Sequence, residues 1–160
     1  MKTLIFISVL LFSVISNAQP QGVCIDNKLA QIAGVMPGDS KESVIEKLGK
    51  PDFVTLDHDR DSSGQNAGEF LQYKGLKLFV ANIGGVSYIK TYNAKYESVY
   101  GIKVGMSYEK VSKLLDSTDK DKIIIYLCNQ PDIVDTHFIF NFCAINGGTL
   151  ESIELQQSEL

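Results

Sequence analysis

Gly34-Val35-Met36-Pro37-Gly38-Asp39-Ser40 and Gly101-Ile102-Lys103-Val104-Gly105-Met106-Ser107 are two versions of one phrase. Gly34 and Gly101, Gly38 and Gly105, Ser40 and Ser107, Glu42 and Glu109, Val44 and Val111, and Leu48 and Leu115 all stand 67 residues apart. A constant offset over that many positions reads as an internal duplication. It predicts two copies of one supersecondary unit, neither able to bury its apolar face alone. A second echo follows at an offset of 64, where Asn82-Ile83-Gly84 before Ile89 becomes Asn146-Gly147-Gly148 before Ile153. Apolar runs flank both turns, the pattern of β-hairpins closed by Asn and Gly.

Each phrase opens a helix. Ser40 or Asp39 caps the first, Val44, Ile45 and Leu48 form its apolar stripe, and Gly49 followed by Lys50-Pro51 ends it. Ser107 caps the second, with Val111, Leu114 and Leu115 as its stripe. A shorter helical turn is expected around residues 27–33. Strands are expected at 53–56, 70–73, 76–81 and 86–92 after the first helix, and at 123–127, 138–142 and 149–155 after the second. The order of helix and then antiparallel strands, twice, predicts an α+β fold: two tandem helix-plus-antiparallel-sheet repeats with the helices packed on one face of the sheet. Residues 29–92 form the first repeat, 93–96 a linker and 97–157 the second, with 19–28 before them and 158–160 as a tail.

Residues 1–18 carry Lys2, an apolar stretch over 4–15 and the small-residue end Ser16-Asn17-Ala18, a pattern that predicts a secretory signal peptide cut before Gln19. The apolar stretch is shorter than the roughly 20 residues a membrane span needs. Cys24 follows Gln21-Gly22-Val23, which lacks the small residue a lipidation site requires directly before its cysteine. A soluble periplasmic or extracellular protein is expected, with no membrane insertion after cleavage. Cleavage removes one of 15 basic residues and none of the 19 acidic ones, leaving a net charge of −5, which argues against nucleic acid or an anionic membrane as partner. Three cysteines, Cys24, Cys128 and Cys143, predict one disulfide and one leftover thiol. A simple hairpin would put Cys128 opposite His137, too far from Cys143 to bridge. Cys24 therefore stays in play, and the pairing is open.

Alternation assigns faces to the strands. Leu76, Leu78, Val80, Ile89, Phe138, Phe140 and Phe142 fall inward, while Lys77, Phe79, Tyr88, Lys90, Ile139, Asn141 and Tyr126 fall outward. Aromatics interleaved with polar residues on a sheet face suit a binding surface, with Phe79, Tyr88 and Tyr126 as its candidate anchors. Loops laid over that face are the alternative. The one dense polar cluster, Asp57-His58-Asp59-Arg60-Asp61-Ser62-Ser63-Gly64, opens like a calcium loop but has Ser62 where glycine is needed and Gly68 in place of the final Glu. It reads instead as a solvated hairpin loop, or as an acidic loop whose Asp57, Asp59 and Asp61 enter a partner's cleft. No metal-ligand spacing, phosphate loop, dinucleotide fingerprint or nucleophile elbow occurs, so no enzyme, cofactor or metal is expected.

The run from Gly101 to Ser107 with Val111 and Leu115, and its first copy Gly38-Asp39-Ser40 with Val44, Leu48-Gly49 and Pro51, resembles the motif that opens each half of the secreted β-lactamase inhibitory proteins. It is similar also to the motif of the small lipoprotein of the outer-membrane β-barrel assembly machinery. The resemblance covers only the two helix-opening segments and the order of elements, and Asp39 departs from the usual Met. It implies two repeats whose sheets make one open, concave, aromatic-rich surface that grips a protein while a loop of the first half enters the partner. The stretch from Asp57 to Asp61 occupies the comparable place. The functional expectation is a non-enzymatic protein-binding module, an inhibitor or immunity factor for an envelope enzyme. An envelope-assembly accessory and a small-ligand or metal-binding module are the alternatives.

Overall fold

The residues described are 24–57, 67–117, 122–128, 134–143 and 148–159 of a computed structural model. The proposed signal peptide, Asp59 and Asp61 lie outside them. Among the described residues two helices, α1 (Lys41–Leu48) and α2 (Tyr108–Leu115), stand with seven strands: β1 (Phe53–Leu56), β2 (Gly68–Tyr73), β3 (Leu76–Ala81), β4 (Gly85–Thr91), β5 (Lys122–Tyr126), β6 (Val134–Cys143) and β7 (Thr149–Glu159). Single 3-10 turns occur at Asn27–Leu29 and Val99–Gly101.

The helices start where the caps predict. Ser40 accepts from the Ser43 backbone N–H and Ser107 from that of Lys110, satisfying first-turn donors that have no partner within the helix. The stripes are narrower than expected. Val44, Val111 and Leu115 are buried, but Ile45 and Leu114 lie on the exposed flank.

The expectation of two helix-plus-sheet repeats is overturned. All seven strands form one antiparallel sheet in the order β1-β2-β3-β4-β7-β6-β5. The joint is β4 against β7, with Tyr88 opposite Gln156 and Thr91 opposite Ile153. Pairing there satisfies two strand edges that would otherwise be open. The helices are also too small to form a layer. Eight residues rise about 12 Å, whereas seven strands at about 4.8 Å spacing span roughly 29 Å. Residues with no regular structure complete the cover, since Ile25, Ile32, Val35 and Ile102 are fully buried in the same core as Val44 and Val111.

The likeness of the two phrases is nevertheless written into the backbone. Ala33 and Gly34 have φ of 57 and 79°, and Tyr100 and Gly101 have 56 and 69°. The Gly38 N–H donates to the Val86 carbonyl and the Asp39 carbonyl accepts from Val86; Gly105 donates to Leu150 and Met106 accepts from it. Each phrase is thus tied to a strand of the shared sheet.

Register gives the core a simple form. Val54, Leu71, Leu78, Ile89, Leu155, Phe138 and Ile125 are successive cross-strand partners, one from each strand. Every member except Val54 at the edge is buried. Cys24 is joined to Cys128, while Cys143 is a free thiol. The pairing holds residues 24 and 25 beside the end of β5, where the Ile25 N–H donates to Tyr126 and its carbonyl accepts from Cys128. His137 faces Tyr126, two residues from the expected Cys128.

Candidate functional site

One residue along each strand from the buried row lies its counterpart on the other face. Thr55, Phe70, Phe79, Tyr88, Gln156, His137 and Tyr126 are successive partners across the whole sheet. The next row on that face runs Phe53, Gln72, Lys77, Lys90, Glu154, Ile139 and Ile124. Because side chains alternate strictly, the row that packs the core fixes where these residues point.

Three of the six residues singled out from sequence come together. Asp57, Phe79 and Tyr88, with Phe70 and Lys77, line a shallow depression of about 410 Å³. The Phe70 and Phe79 ring centroids are 4.9 Å apart, and the Lys77 ammonium sits 3.9 Å from the Phe70 centroid, a cation over an aromatic face. Tyr126 is on the same face but at the opposite edge, four strands or roughly 19 Å from Phe79, half exposed and 5.4 Å from the His137 ring. Phe70 and Lys77 were not on the list of candidates. Their signal was the period of two in β2 and β3, which places them beside Phe79.

The middle of the face is more closed than expected. Ile139 points outward but is buried, as is His137. Polar groups close over them: Asn141 donates to Glu154 Oε1 at 2.9 Å, and the Gln156 amide lies 2.9 Å from His137 Nε2. Glu154 also receives Lys90 at 2.8 Å and the Tyr88 hydroxyl at 3.4 Å. Burial and the Glu154 charge push the Tyr88 hydroxyl up to about 12. Burial pulls Lys90 the other way, but its hydrogen bonds to Glu154 and Tyr92 and the Glu154 charge outweigh it and raise its pKa. This carboxylate is spent on holding β4, β6 and β7 together.

Among the described residues no group of three or more His, Cys, Asp or Glu side chains is placed to hold a metal ion, and no helix is long and apolar enough to cross a membrane. The disulfide is compatible with an oxidising compartment. Comparison with models of known families, with curated proteins and with solved structures finds no match to the chain.

Proposed function

We propose that this is a non-enzymatic secreted or periplasmic module that binds another protein on its outward sheet face, as an inhibitor or immunity factor for an envelope enzyme would. The observation that carries the reading is the outward row itself: aromatic side chains at both ends of the face turned away from the core, around a centre where Lys90, Asn141 and Glu154 bond one another. Aromatic side chains that core alternation turns outward, partly buried at Phe79 and Tyr88 and half exposed at Tyr126, are the kind of residue on which interface energy concentrates. Asp57, where the acidic stretch begins, lines the depression on this face, and that stretch would contribute by steering or by insertion. The N-terminal sequence and the disulfide support export.

The test begins with the amino terminus of the mature protein, expected at Gln19. Mature protein is then used to capture partners from envelope extract, with quantitative mass spectrometry of what the wild type holds and what Phe79→Ala, Tyr88→Ala, Tyr126→Ala and Asp59→Ala lose. A stoichiometric partner whose affinity falls by about 2 kcal/mol at an aromatic anchor is expected. Unchanged affinity across all four variants would reject the face and the loop together.

A further inference from the structure

The two edges of the sheet are built differently. β5 carries Lys122 and is flanked at its end by Ile25, which bridges Leu127, and a charged side chain on an edge is a usual guard against stray pairing. β1 has no such guard. Its four residues, Phe53-Val54-Thr55-Leu56, are uncharged and all exposed, with Phe53, Val54 and Leu56 at 69, 49 and 51%. Among the described residues no strand lies beyond it.

The backbone groups at this edge can be assigned. The Asp57 N–H donates to the Gly68 carbonyl of the β2 side, and alternate residues of an antiparallel strand point the same way. Phe53 and Thr55 therefore bond inward, and the N–H and C=O of Val54 and Leu56 point out. On the outward face Thr55 is the small member of its row and lies directly beside Phe70. A long side chain from a strand added outside β1 would pass over Thr55 and reach the depression formed by Phe70, Phe79 and Tyr88.

Area decides between occupants. At about 200 Å² per large side chain, the exposed fractions of Phe53, Val54 and Leu56 offer on the order of 340 Å², less than half of the roughly 800 Å² per partner in a stable interface. A second copy pairing through this strand alone falls short of that area. A partner segment that adds to the edge and also fills the depression uses both.

We propose that β1 is a strand-addition site: an extended segment of a partner protein pairs with the outward N–H and C=O of Val54 and Leu56 and lays an apolar or aromatic side chain over Thr55 against Phe70. Main-chain bonds supply the attachment and the depression supplies the selectivity. This rests on the protein-binding reading above and names how the partner is held.

The probe is an end-capped peptide with the sequence of β2, Gly68–Tyr73, an extended segment that pairs with the inner edge of β1 in the sheet and carries an aromatic side chain at Phe70. It is titrated into ¹⁵N-labelled mature protein and followed by amide chemical shifts. Saturable shifts at Val54 and Leu56 are expected at roughly millimolar peptide. Val54→Pro removes an outward donor while leaving the bonds to β2 intact, and should weaken binding at least about tenfold; Val54→Thr, which keeps the N–H, should not. Leu56→Pro is the second blocking variant should Val54→Pro fail to fold. Absence of shifts at these amides, equal binding by a blocking variant, or the same shifts on raising protein concentration without peptide would each overturn the proposal, the last in favour of a second copy. Loss of a captured partner by Tyr126→Ala, with no peptide binding at β1, would leave the protein-binding reading standing and sink strand addition alone.

Discussion

Leu155→Ala tests whether the sheet behaves as one body. Leu155 is fully buried on β7, between Ile89 of β4 and Phe138 of β6, themselves fully buried. It therefore sits at the joint between the strands that follow α1 and those that follow α2. Truncation removes the transfer free energy of three carbons and leaves a cavity whose cross-strand walls are held in the ladder and relax little. Such sites fall in the upper part of the range of about 2–5 kcal/mol for Leu to Ala, here about 3–4 kcal/mol. For about 140 residues the unfolding entropy near the midpoint is roughly 0.3 kcal/mol/K, so Tm should fall by about 10–14 °C. Urea unfolding of the oxidised protein should remain a single transition. Hydrogen exchange should lose protection equally at Leu78 and Ile89 on one side of the joint and at Phe138 and Phe140 on the other. A loss below about 1 kcal/mol, two separate transitions, or deprotection confined to β5, β6 and β7 would refute the argument.

Alkylation of unreduced protein should add one label, at Cys143, since Cys24 and Cys128 are joined; three labels on peptide mapping would disprove the pairing. Gly85→Ala should destabilise by about 2 kcal/mol or more in chemical denaturation, because its φ is 77° and a Cβ there would lie 2.5 Å from the Gly38 carbonyl oxygen and 2.6 Å from that of Asp39; a loss under about 0.5 kcal/mol would show that this tie is slack. Tyr88 has its folded pKa raised above 10.0, so the stability linked to it is fully present below about pH 10 and is lost as pH rises toward about 12. The stability difference between wild type and Tyr88→Phe should therefore shift over that window, and a constant difference from pH 8 to 12 would remove the hydroxyl from the account.

The elements were legible because their signals are local. Ser40 and Ser107 cap the helices as expected, and β1 and β3 have the expected bounds. Alternation also placed Leu78 inside and Phe79 and Tyr88 outside. Which strands pair across the chain was not legible. Nothing in the composition of β4 or β7 distinguishes a central strand joined to the other from two strands each ending its own sheet, because Ile89 and Leu155 would be apolar in either case. The constant offset between the phrases suggested separate units, yet it reports only that two segments take the same backbone path. The same limit hid the burial of Ile139, since the side chains that close over it come from β6 and β7 together.

The offset of one residue between the buried row and the outward row ties the candidate site to the core. Slipping any strand by one residue would carry Leu78, Ile89 or Phe138 to solvent and bring Phe79, Tyr88 or His137 inward. At about 1.5–3 kcal/mol for each large apolar side chain exposed, a slip of one strand with two buried residues forfeits several kcal/mol, a large part of the 5–15 kcal/mol that typically holds a domain together. The outward aromatics are thus fixed in position by residues they do not touch. Their own substitution leaves the core intact, so changes at Phe79 or Tyr126 alter what the face presents without altering where it presents it. β1 is the exception. Its member of the buried row, Val54, is half exposed, so the core holds this strand least firmly. A segment pairing with its outer edge would therefore both use the edge and fix it.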